Sequence, residues 1–130
     1  MSVAATVVNI PEVRDSDFTA EVDTRDRPWT IKLAGNADLV VKPALDRFMT
    51  AVHEEARRQR VQEVQVDLRL LEFMNSSCLK TFVWWISSVQ DLDPAAHYRI
   101  TFLSSPSMYW QRRSLNALAC LAADLVSVQV

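Results

Sequence analysis

Val64–Phe82 reads VQVDLRLLEFMNSSCLKTF. Val64, Val66 and Leu68 alternate with polar residues, and an apolar run follows from Leu70 to Met74. Asn75, Ser76 and Ser77 break the period of two, and from Leu79 the apolar spacing becomes helical. The segment therefore reads as a strand feeding a helix, with Asn75 or a neighbouring serine as N-cap. A serine at a helix start lies beside unpaired amide N–H groups and the positive end of the helix dipole. Its hydroxyl is suited to three roles: a plain cap, an anion contact, or a place where added phosphate changes the local charge by roughly −1.5 to −2.

Working outward, Phe18–Val22 and Trp29–Leu33 each alternate across a turn at Asp23–Pro28, which predicts a hairpin. Ala34–Lys42 reads as a connection, and Pro43 suits the first turn of a helix running to about Arg60. Leu45, Phe48, Met49, Val52 and Ala56 share one face of that helix; Arg47, Thr50, Glu54 and Arg57 lie opposite. After the central strand (Glu63–Leu71) and helix (Ser76–Asp91), Tyr98–Leu103 is another strand. Ser104–Pro106 offers a cap and a helix-starting proline for a helix over Ser107–Leu121, and Leu125–Val130 is a closing strand. The order ββαβαβαβ predicts an α/β domain with a mixed sheet and right-handed crossovers. The first seventeen residues read as an N-terminal arm or an extra edge strand before a single domain over residues 18–130.

Composition narrows the function. The chain has 130 residues, a formal net charge of −2 and one glycine, Gly35. That balance argues against a broad nucleic-acid footprint, and a lone glycine leaves no Gly-rich phosphate loop. Arg112-Arg113 with Tyr109 and Trp110 is a single short basic-aromatic cluster and is discounted as an RNA contact. Cys78 and Cys120 lack metal-ligand spacing, and His53 and His97 stand apart, so neither a metal nor a cofactor is expected. No basic, apolar leader and no stretch of ~18 apolar residues is present, so the expectation is a cytoplasmic protein without membrane insertion. No polar cluster joins a nucleophile to an identifiable base, so the chain reads as a non-enzyme.

Two stretches resemble the signatures of one family. LAGNAD (Leu33–Asp38) resembles L-S-G-E-L-D, and DLRLLEFMNSSCLK (Asp67–Lys80) resembles D-L-S-x-L-x-F-M-D-S-S-G-L-G. Both belong to the STAS domain, named for sulfate transporters and anti-sigma factor antagonists. Ser105-Pro106 and the closing strand fall in matching order, so the resemblance covers Phe18 to Val130. It implies an STAS-like sheet with helices mainly on one face, and a bacterial partner-switching protein of the standalone anti-sigma factor antagonist type. In such proteins the first serine of the pair, here Ser76, is phosphorylated. The unphosphorylated form binds a serine kinase that doubles as an anti-sigma factor, the phosphorylated form releases it, and a PP2C-type phosphatase resets the switch. The alternative that the resemblance offers is a constitutive adaptor subunit of a transport or signalling complex, with no phosphorylation.

Three departures from the second signature lie at the junction of strand and helix. Asn75 stands for aspartate, Cys78 for glycine, and Lys80 for a small residue. Asparagine caps about as well as aspartate. Cys78 adds a side chain where a partner would approach, and its place in the first helical turn raises the question of a reactive thiol. The expected partner-facing surface comprises Asp38, Asn75, Ser77, Cys78, Lys80 and Trp84, with the phosphate site at Ser76. Leu79, Phe82, Val83, Ile86 and Val89 define the expected core stripe. Trp85 falls on its margin and Trp84 on the polar face, where it reads as an interface anchor for a protein partner or for self-association.

Overall fold

A computed structural model describes residues 10–130; residues 1–9 of the expected arm lie outside the described residues. Six strands form one sheet in chain order: β1 (Val13–Arg14), β2 (Phe18–Asp23), β3 (Trp29–Ala37), β4 (Glu63–Met74), β5 (Arg99–Leu103) and β6 (Val126–Gln129). The first three run antiparallel, and β3 to β6 run parallel. The intervening helices are α1 (Lys42–Arg58), α2 (Ser76–Gln90) and α3 (Tyr109–Leu121). From Phe18 onward this is the expected ββαβαβαβ order, with the two-residue β1 laid outside β2.

Three parallel crossovers step in one direction along the sheet, and right-handed crossovers then place all three helices on one face. Burial follows that layering. Trp29, Ile31, Val64, Val66, Leu68, Ile100 and Phe102 are wholly buried beneath the helices. Alternate residues such as Thr30, Lys32, Gln65 and Ser127 form an uncovered polar face. On α1, Leu45, Phe48, Met49, Val52 and Ala56 are buried as the periodicity predicts, and His53 joins them.

Several boundaries differ from expectation. β3 runs on through Ala37, so Ala34–Ala37 is strand rather than connection, and the connection shrinks to Asp38 and a 3-10 turn over Leu39–Val41. β4 continues to Met74 because two extra residues are accommodated in it: Lys32 faces Asp67 but Ala34 faces Leu70, and Gly35 faces Leu71 but Asn36 faces Phe73. Each bulge advances β4 by one residue, so buried positions pass from spacing two (Val64, Val66, Leu68) to spacing three (Leu71, Met74). That change is the physical origin of the run without alternation in LLEFM, and it leaves Leu70 and Phe73 exposed. Ser104–Pro106 does not cap a helix. α3 starts later, at Tyr109, from Met108, which makes no side-chain cap bond.

Candidate functional site

Adjacent parallel strands deliver the two signature segments to one end of the molecule. Ala37 faces Met74 at the ends of β3 and β4, and the Asn75 amide donates to the Ala37 carbonyl at 2.7 Å. Asn75 is extended (φ −62°, ψ 146°), and its Oδ1 accepts the Ser77 amide at 2.7 Å. It is the N-cap, and it satisfies one of the amides that a helix start leaves unpaired. On the neighbouring strand, Asp38 caps the 3-10 turn in the same manner, its Oδ1 accepting the Val40 amide at 3.1 Å.

Ser76 is the first residue of α2 and is exposed, and its hydroxyl makes no hydrogen bond among the described residues. Ser77 is half-buried, with its amide committed to the cap. Lys80 is exposed one turn along from Ser76. Leu39 and Val40, on the turn after β3, are 60% and 80% exposed, and Phe73 at the end of β4 is 47% exposed. An accessible hydroxyl at a positive helix end thus lies between two segments that present apolar side chains to solvent.

Cys78, expected on the partner-facing surface, is instead wholly buried. Its thiol donates to the Asp38 carbonyl at 3.3 Å, so it fastens the two signature loops together and adds no bulk outside. Burial pushes the thiol pKa up, with Asp46 and Asp38 acting in the same sense and Lys42 against it. The thiol is therefore not the activated kind that a helix start permits.

A second tie lies deeper. Asp46 of α1 accepts from the Thr81 hydroxyl at 2.5 Å and from Lys42 Nζ at 2.8 Å. Burial raises the Asp46 pKa, but the Lys42 and Thr81 hydrogen bonds prevail and hold it below the usual carboxylate value.

The helical phase of α2 differs from the predicted stripe. Cys78, Thr81, Phe82, Trp85, Ile86 and Val89 are buried, whereas Val83 is 37% exposed. Trp85 is core rather than marginal because its Nε1–H donates to the buried Tyr98 hydroxyl at 2.7 Å. Trp84 is 42% exposed and sits edge-on to His53 of α1, ring centroids 6.0 Å apart. It lies at the α1–α2 seam, not at the centre of the polar face. Gln111, which no pattern in the sequence singles out, is wholly buried. Its amide nitrogen donates to the Leu68 and Leu71 carbonyls at 2.6 and 2.9 Å, and its oxygen accepts the Ser105 amide at 2.9 Å. Trp110 adds a bond from Nε1 to the Glu72 carbonyl at 2.9 Å. Together they bind α3 to the bulged half of β4 that leads to Asn75.

Among the described residues no cluster of three His, Cys, Asp or Glu side chains is arranged to hold a metal. No described helix is long and apolar enough to cross a membrane. No family model matches the chain, and no curated protein matches it. Among solved structures, the chain is similar to the crystal structure of an anti-sigma factor antagonist from Mycobacterium paratuberculosis. The TM-score is 0.60 at 20% sequence identity, over 80% of this chain and 81% of that one. Sheet order, crossovers and this likeness agree, and the chain has the STAS-type α/β fold, shared with that antagonist.

Proposed function

We propose that this protein is a phosphorylation-controlled binding switch of the anti-sigma factor antagonist type. The pole formed by Asp38, Asn75, Ser77 and Lys80 docks a serine-kinase partner that doubles as an anti-sigma factor, and phosphate on Ser76 releases it. The observation that carries the reading is the exposed, unengaged Ser76 hydroxyl at the first position of a capped helix, flanked by exposed Leu39, Val40 and Phe73. Apolar anchors supply contact area, while the serine supplies the control point. Phosphate there meets the helix dipole and Lys80 favourably, so the fold tolerates it. The cost falls on a docked partner, which has to accommodate about two added negative charges. Trp84, farther along α2, extends the docking surface, and Cys78 serves it from beneath by fixing the loop. A PP2C-type phosphatase restores the binding form.

The test is quantitative recovery of partners from native lysate by wild type, Ser76→Ala and Ser76→Asp. A kinase-fold partner held by the alanine form and lost by the aspartate form supports the switch. Equal recovery by both contradicts it. A second reading, a constitutive adaptor, is favoured by the Cys78 thiol bond to Asp38, which locks the loop without any modification. It requires that no phosphate is found on the protein from its own cells.

A further inference from the structure

At the opposite end of the sheet, two adjoining clefts open where β3, β4 and β5 begin. The first, about 440 Å³, is lined by Arg27, Pro28, Arg60, Gln62, Glu63 and Arg99. The second, about 520 Å³, shares Arg60 and Gln62 and adds Arg57, Asp93 and His97. Four arginines thus face two carboxylates in a chain whose net charge is −2. Glu63 is already engaged by Arg99 at 3.2 Å and by the Thr101 hydroxyl at 3.0 Å. Arg27, Arg57 and Arg60 are exposed and form no ion pair among the described residues.

Arg60 supplies a second, independent observation. It closes α1 in a double-bonded C-terminal turn: its amide donates to the Arg57 carbonyl at 3.2 Å, and the Val61 amide to the Ala56 carbonyl at 2.9 Å. The turn requires a left-handed residue, and Arg60 adopts φ 56°, the only positive φ at a non-glycine position among the described residues. Glycine takes this position without strain, whereas a side chain is strained there. The strained residue carries the guanidinium common to both clefts, and strain of this kind concentrates where a side chain has work to do.

We propose that this basic pole is a docking site for an acidic segment of a protein partner, separate from the Ser76 pole. The clefts are lined mainly by charged and polar side chains, unlike the apolar pockets that hold small molecules. Neither is lined by Phe, Tyr or Trp, so a nucleotide or single-stranded nucleic acid finds no stacking platform. Guanidinium groups match carboxylates in a two-pronged geometry, and a chain of carboxylates spans both clefts through Arg60.

Binding of a fluorescein-labelled Glu-rich peptide to the full chain, followed by anisotropy at low and moderate salt, tests the site. Wild type binds, and raising the salt severalfold weakens binding by about ten-fold. Arg27→Glu/Arg57→Glu weakens it at least ~10-fold, whereas Arg112→Ala/Arg113→Ala, on the distant α3, changes it less than ~2-fold. The decisive variant is Arg60→Gly, which weakens binding while keeping or raising the melting temperature, because glycine relieves the strained turn. Arg60→Lys retains the charge and most of the binding. No binding at low salt, equal loss in the Arg112/Arg113 control, undiminished binding by Arg60→Gly, or tighter binding of pyrophosphate or poly-uridine RNA would each overturn the proposal.

Discussion

Gly35 is the only glycine in the chain, and its backbone explains why it stands there. Its φ is +92°, and a Cβ would lie 2.0 Å from the Asp17 carbonyl oxygen, the same carbonyl that accepts the Asn36 amide at 2.7 Å. Gly35→Ala combines a disfavoured φ with a backbone clash, so a loss of at least ~2 kcal/mol is expected, read as a fall of about 8 °C or more in melting temperature. His53 offers a different residue-scale test. The buried Tyr98 hydroxyl accepts from Trp85 Nε1–H at 2.7 Å and shares a second hydrogen bond of 2.7 Å with His53 Nδ1. Burial, helped by Arg57 and opposed by Glu54, lowers the His53 pKa below its ordinary 6.5. The unfolded chain therefore takes up this proton first. His53's contribution to stability is complete above pH 6.5 and is lost as pH falls below that value toward its folded pKa. Denaturant midpoints measured between pH 7.5 and 5 should fall on acidification, and His53→Gln should flatten that fall; an identical slope in the variant contradicts the assignment.

At the scale of elements, β4 and its junction with α2 show what the sequence makes legible. The break at Asn75 is a local event, an asparagine cap followed by a change of apolar period, and local events leave a pattern in the residues. The bulges in β4 show only as a loss of alternation in LLEFM, which does not identify them, because neither extra residue is a glycine and the strand they pair with is distant in sequence. Gln111 is the clearest case. It lies on a helix otherwise patterned as an ordinary amphipathic element, and only the fold brings it to the Leu68 and Leu71 carbonyls. Gln111→Leu keeps the volume but leaves those carbonyls and the Ser105 amide without it, which should cost ~2–4 kcal/mol in chemical denaturation. A loss below ~0.5 kcal/mol would mean that water replaces it easily. The phase of α2 was legible only in part for the same reason: Trp85 is drawn inward by Tyr98, and Trp84 rests on His53, both long-range contacts. The cap itself allows a sharp comparison. Asn75→Ala should lose about 1 kcal/mol, and Asn75→Asp, which keeps the acceptor and adds charge at the positive helix end, should stay within ~0.5 kcal/mol of wild type.

For the whole molecule, the parallel half of the sheet gives the protein two chemically distinct ends. The carboxyl ends of β3 and β4 gather the two signature segments, the exposed serine and the apolar side chains; the opposite end gathers arginines. The meeting of the two motifs was legible because both follow strands that the alternation predicts, and adjacent parallel strands bring their following loops together; the exposure of Leu39, Val40 and Phe73 was not. The arginine end was not legible either, since Arg27, Arg57, Arg60 and Arg99 are scattered over 73 positions of sequence and meet only through the crossovers. Whether Ser76 is the control point is decided by phosphopeptide mapping by mass spectrometry of the protein isolated from its own cells. A phosphate is expected on Ser76 in a growth-dependent fraction of molecules, and none on the Ser76→Ala protein. Phosphate on Ser77 or elsewhere in its place, or none under any growth condition, would contradict it.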